Sequence, residues 1–197
     1  MDGGGGKDRD ADDLGDEDWG VLGELPGDLM MWVLIVSEFL VFGAALIAFL
    51  GVRITDPAGF AADQALLDRT AGAANTIVLV TSGLCAALAV RARDTEARRQ
   101  ARYWLYAACL LGLVFLTVKG FEYWSKACLG IGIDTSQFFT FYYLITGFHA
   151  AHVVAGIVLL TLVSFRDSRR NMETVAAFWH MVDLVWVLLF PIIYVLG

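Results

Sequence analysis

Cysteine, proline and histidine are scarce in this chain, three of each among 197 residues. Cys85, Cys109 and Cys128 stand singly in apolar runs, which excludes a disulfide framework and a CxxC thiolate metal site. Any all-histidine metal centre would consume nearly every histidine available. Charged residues make up only 18% and sum to −7, which leaves no basic footprint for nucleic acid. Period-two alternation of apolar and polar residues is missing as well, and its absence excludes a membrane β-barrel. What is abundant is apolar: 58% of residues, with a mean hydropathy of +0.64. Soluble domains average about 45–50% apolar and about 25% charged residues. Such a chain belongs in a bilayer.

Residues 1–28 form a separate compositional unit. They open on the Gly3–Gly6 run and hold ten acidic residues against Lys7 and Arg9. A segment with so few apolar side chains cannot offset its chain entropy by burial and is expected to be a disordered, solvated acidic tail; a docking role is the alternative. It lacks the basic start and apolar stretch of a signal peptide.

Five apolar stretches follow, at 30–52, 72–90, 103–123, 138–165 and 174–196. Each meets or approaches the ~20 residues a helix needs to cross ~30 Å of hydrocarbon. The predicted fold is an all-α integral membrane bundle of five transmembrane helices. With the N-terminus inside, ten of the fourteen Lys and Arg residues face the cytoplasm. They lie in the tail, in the loop carrying Arg91, Arg93, Arg98, Arg99 and Arg102, and in the loop carrying Arg166, Arg169 and Arg170. Arg53, Arg69 and Lys126 then face out, so the positive-inside rule selects an N-in, C-out topology.

Ionisable side chains at membrane depth are costly unless paired or hydrated. Lys119 and Glu122, three residues apart near an outer helix end, read as a local ion pair at the interface. Glu38, His149, His152, His180 and Asp183 fall deeper. At a rise of about 1.5 Å per residue, Glu38 lies about 4.5 Å and Asp183 about 3 Å to the inner side of their span centres. His180 lies about 7.5 Å to that side, His152 sits near its centre, and His149 is one turn further out. Three helices thus carry polar groups into one layer. An interhelical hydrogen-bond network, proton handling, and ligation of a single haem by His180 with His149 or His152 are the three readings of that layer. Di-haem and copper–haem centres need more histidines than the chain has. Gly147, Ala151 and Ala155 at four-residue spacing, and Ser82, Gly83, Ala86 and Ala87 in the second span, would admit a close helix contact. Pro191 is expected to bend the last helix.

Five motifs, one per span and in order, carry a family resemblance. The run Ile145-Thr146-Gly147-Phe148-His149-Ala150-Ala151-His152-Val153 resembles the T-G-F-H-x-x-H-V signature of haem–copper oxidase subunit III. The run Trp179-His180-Met181-Val182-Asp183-Leu184-Val185-Trp186 resembles that family's W-H-x-V-D-x-V-W. Ser37-Glu38 with Phe42 is similar to the S-E-x-x-x-F around its membrane-buried glutamate. Asn75-Thr76 with Ser82-Gly83, and Glu122-Tyr123, are similar to its N-T…S-G and E-Y elements. The resemblance covers residues 26–197 and is to the five-helix form, without the first two helices of the long form and their acidic and histidine lipid contacts. Leu25-Pro26-Gly27-Asp28-Leu29-Met30-Met31-Trp32 most resembles the NorE branch, which accompanies bacterial nitric oxide reductases; subunit III of an aerobic cytochrome c or quinol oxidase is the alternative.

The resemblance implies a non-catalytic subunit in a bacterial inner membrane. It would carry no haem, copper or other metal, bind a phospholipid, pack beside the catalytic subunit I, and support proton uptake and turnover. It also implies that Glu38 matches a carbodiimide-reactive glutamate. A single-haem quinol-linked cytochrome and a proton-coupled carrier are the competing classes; the carrier lacks the inverted repeat expected of one.

Overall fold

The computed structural model describes residues 29–165 and 169–196, and the acidic segment and Arg166 lie outside them. Six α-helices are present: α1 (Leu29–Thr55), α2 (Pro57–Gln64), α3 (Arg69–Asp94), α4 (Arg98–Cys128), α5 (Gln137–Phe165) and α6 (Arg169–Phe190). A π-helical turn, Pro191–Val195, closes the last span. Five helices are long and apolar enough to cross a membrane, and no strand occurs among the described residues. The predicted five-span bundle is therefore the fold.

Helices α3 and α4 overrun their apolar stretches by a turn or so at both ends and α6 at its start, while α5 keeps to its own. Asp56 accepts a hydrogen bond from the Gly59 amide ahead of Pro57, which starts α2. Asp68 accepts from the Thr70 and Ala71 amides at 3.0 Å and starts α3. Past α3 the chain turns through Glu96 at φ 56°, while the Ala97 amide reaches back to the Ala92 carbonyl at 3.0 Å. Gly130, at φ 74°, serves the same purpose after α4, where the Ile131 amide bonds Lys126 O. A residue without Cβ adopts that conformation freely, whereas Glu96 adopts it at a cost.

Helices α3, α4, α5 and α6 close a four-membered ring, each packed on the next, and α1 leans from outside on α5 and α6. The burial follows: 56% of the apolar window of the last span is covered inside the bundle, against 11% for α1. Trp179 and Trp186 of α6 are fully buried in this ring. Trp179 fills a slot opened by two glycines, since a Cβ at Gly112 or at Gly156 would strike its indole. Its Nε1 donates to Ser82 Oγ at 3.1 Å, and Ser82 donates onward to Ala108 O at 2.8 Å. Trp186 Nε1 donates to Thr76 Oγ1 at 3.0 Å.

The close contact of α5 is displaced from the expected stripe. Ala151 and Ala155 are exposed and Gly147 is half-buried. The buried face runs instead through Thr146, His149, Val153, Gly156 and Leu160. Small residues at four-residue spacing permit an approach, but the indole of Trp179 decides which glycine is approached. In the second span Ser82, Gly83 and Ala86 are buried as expected, and Ala87 is not.

The short helix α2, unforeseen in the hydropathy pattern, caps the end of the bundle where α1, α4 and α6 finish. Phe60 packs edge-on against Phe49 and Phe138. Gln64 Nε2 donates to Ile193 O at 2.8 Å, Ser136 Oγ donates to Asp63 at 2.6 Å, and Lys126 Nζ donates to Leu66 O. Pro191 opens a π-helical turn, in which the Leu196 amide reaches Pro191 O at 2.8 Å.

Candidate functional site

The ionisable groups expected in one layer resolve into separate assemblies. The first joins α1 to α5. Glu38 Oε2 lies 3.1 Å from His152 Nε2, with side chains 18% and 15% exposed. His152 Nδ1 lies 2.9 Å from the Phe148 carbonyl oxygen, one turn back on the same helix. That oxygen can only accept, so Nδ1 carries a proton. Nε2 is then the ring nitrogen turned to the carboxyl, at ion-pair distance. Phe42 and Phe148 lie against the imidazole with ring centroids 5.6 and 4.6 Å away.

His149, one turn from His152 in depth, does not join this pair. It is completely buried, and neither ring nitrogen has a hydrogen-bond partner. Its imidazole lies tilted over Trp186 at 5.1 Å, with the Phe115 ring edge-on at 5.7 Å. The geometry separates it from the expected network because α5 turns His149 into the ring of four helices and His152 toward α1. His180 and Asp183 form a third assembly on α6. The separation of His180 Nδ1 from Asp183 Oδ2 is 3.9 Å, too long for a hydrogen bond, and the His180 side chain is 48% exposed. Asp183 instead presses against α3 at Gly83, where any Cβ would collide with its carboxylate.

Lys119 and Glu122 depart most from expectation. Lys119 is 2% exposed, enclosed by protein rather than solvated. Its Nζ donates to Glu122 Oε2 at 3.0 Å, Tyr194 OH at 2.7 Å and Tyr142 OH at 3.1 Å. All three ammonium protons are thereby used. Tyr194 OH in turn donates to the Glu122 carboxylate at 2.9 Å. Four rings surround the cation, those of Tyr142, Tyr123, Trp186 and Tyr194, at 4.8–5.4 Å. Tyr123 OH and Thr146 Oγ1 are 2.6 Å apart, and Thr146 donates to Tyr142 O. Sequence reading found the pair but missed the cage, since Tyr142 and Tyr194 come from other helices and their hydroxyls are the only signal.

Among the described residues no three His, Cys, Asp or Glu side chains converge into a metal-ligand set. A cleft of about 580 Å³ opens between α1 and α6, lined by Met31, Trp32, Ile35, Phe39, His180 and Leu184 among others. It is largely apolar, and Glu173 and Thr174 stand at one end.

Compared with known protein families, residues 16–197 match the family described as cytochrome c oxidase subunit III. The chain belongs to that family. Among subunit III relatives, it is similar to cytochrome c oxidase subunit 3 of Thermostichus vulcanus, 30% identical over 180 residues, covering 85% of this chain and 86% of the relative. It is similar at 25% identity over 183 residues to a probable quinol oxidase subunit 3 of Staphylococcus epidermidis, covering 89% and 90% of the two chains. It is also similar to a fused protein, heme-copper oxidase subunit I+III of Aeropyrum pernix, 30% identical over 179 residues. There it covers 83% of this chain but spans only 22% of the relative. Membership of the subunit III family agrees with a multi-pass membrane chain of five apolar helices.

Proposed function

We propose that this chain is a non-catalytic accessory subunit of a haem–copper oxidase or nitric oxide reductase system. It sits beside the catalytic subunit I in a bacterial inner membrane and supports proton uptake and sustained turnover. The observation that carries this reading is the disposition of the three histidines. His152 faces a carboxyl, His149 is walled in by aromatic rings, and His180 lies open to the cleft. The fused I+III relative supports the choice of partner. The cleft between α1 and α6 has the shape and apolar lining for a phospholipid acyl chain, and no metal or haem is assigned.

Within this reading the chain is placed in the NorE branch, on the stretch Leu25 to Trp32 ahead of Glu38, half of which lies outside the described residues. The oxidase relatives favour the aerobic alternative equally. Affinity purification of the tagged chain from native membranes should bring down a haem-containing subunit I, whose metal content distinguishes the two. A stoichiometric Soret band from the chain purified alone would overturn the accessory reading.

The N-in, C-out orientation is part of the proposal, because it sets the arginine-rich end in the cytoplasm. In a Cys128→Ser background, Ala61→Cys should react with a membrane-impermeant thiol reagent in intact cells, and Ala97→Cys should not. The reverse pattern would invert the topology.

A further inference from the structure

At one end of the bundle, where α3 and α5 finish and α4 and α6 begin, the surface is crowded with arginine. Arg91, Arg93, Arg98, Arg99, Arg102, Arg169 and Arg170 stand there among the described residues, against Asp94, Glu96 and Glu173. Arg91, Arg99 and Arg102 are exposed. Arg169 spans two helices, holding Asp94 of α3 and Glu173 of its own helix at 2.9 Å each. Two of the three acids at this end are thus drawn into one arginine's contacts, and the end keeps an excess of positive charge.

The N-terminal end of α1 lies beside this surface. Met31 and Trp32 line the same cleft as Val90, which precedes Arg91, and as Glu173, which binds Arg169. The residues before α1 therefore leave the bundle within a cleft's width of the arginines. Those residues, 1–28, carry ten acids and two basic residues. A chain of that length has a root-mean-square reach of about 30 Å, enough to cover the whole end.

We infer that the arginine-rich end of the bundle is the docking surface for the chain's own acidic segment 2–28. The seating is electrostatic: each exposed ion pair is weak alone, but tethering holds the acids at a millimolar effective concentration beside the arginines. An anionic membrane surface would repel the same segment, which leaves this end as the basic surface within its reach. Anionic lipid headgroups compete for the arginines, and the tether gives the segment the advantage. The inference does not depend on which oxidase the chain serves.

The test uses the full chain in lipid nanodiscs, in a Cys128→Ser background with the buried Cys85 and Cys109 left in place. Nitroxides at Ala11→Cys and Gln100→Cys report the distance from the segment to the arginine end. A narrow short-distance population is expected at about 10 mM salt, falling about threefold or more at about 1 M, where the Debye length drops from ~30 to ~3 Å. The triple variant Arg91→Gln, Arg99→Gln, Arg102→Gln should lose that population at low salt. So should a chain with Asp8, Asp10, Asp12, Asp13, Asp16, Glu17 and Asp18 replaced by their amides, a change that leaves the bundle untouched. A distribution indifferent to salt and to both variants would overturn the inference. So would a short-distance population present in phosphatidylcholine and abolished by phosphatidylglycerol, since the arginines would then serve headgroups.

Discussion

Two acid–base pairs sit within the spans, and they are built in opposite ways. Lys119–Glu122 lies inside the ring of four helices, with every ammonium proton placed and four aromatic rings around the cation. Glu38–His152 lies at the seam where α1 leans on α5, held by one contact and partly open. The difference follows from helix burial, because α1 brings little protein with it to complete a second shell of partners. A fully enclosed ion pair fixes geometry and tolerates no loss, whereas an open pair can exchange its neighbours. The caged pair is the structural one; the seam pair is where a partner subunit or lipid could still make a difference.

The sharpest way to break the contrast is Lys119→Met. It strands the Glu122 carboxylate in the protein interior and should cost about 3–5 kcal/mol, read as a fall in unfolding free energy in mixed micelles. Adding Glu122→Gln should recover most of that loss. Full stability in the single variant would mean that the cage is dispensable. Tyr194→Phe keeps the ring but deletes the hydroxyl shared by Lys119 and Glu122, for about 1–3 kcal/mol. Hydrogen exchange at residues 192–194 should accelerate with it; unchanged exchange would detach the π-helical turn from the cage.

Changes at the seam should be milder. Glu38→Leu leaves His152 without its partner and should lower the stability of the isolated chain by about 1 kcal/mol. Its larger effect should be poor assembly of the complex, while Glu38→Gln assembles and keeps most activity. Loss of turnover in the glutamine variant with assembly intact would make Glu38 an obligatory proton carrier. Smallest of all on the fold is Gly147→Leu with Ala151→Leu. Because Ala151 is exposed and a Cβ at Gly147 meets only the Tyr123 hydroxyl at 4.0 Å, the isolated bundle should change by no more than about 0.5 kcal/mol. Co-purification with subunit I should fall, and unaltered co-purification would leave the stripe without a role.

The fold was legible because hydropathy reports on spans directly: five apolar stretches became five membrane-length helices. Motif residues were legible as a set, and the structure gives several of them tasks that composition could not. Asn75 donates to Phe115 O at 3.2 Å, and Thr76 and Ser82 receive the two buried indoles. What escaped was rotation about each helix axis. Ala151 and Gly156 are both small residues on one helix, and only the position of Trp179 separates the exposed one from the buried one. Likewise His149 and His152 differ by three residues, a rotation of about 300° that points one inward and the other to α1. Depth along the membrane is a property of sequence position, but facing is a property of the neighbours.

The cage also carries a consequence for the order in which the molecule is made. Lys119 and Glu122 enter the membrane with α4, while the hydroxyl that joins them belongs to Tyr194, seventy-two residues after Glu122. During synthesis the pair waits through the insertion of two more spans with its shell incomplete. Formation of the π-helical turn that carries Tyr194 is thus the step that completes the cage. A nascent chain arrested before Pro191 would leave Lys119 and Glu122 without their Tyr194 hydrogen bonds, a feature that membrane proteases could read as unfinished work.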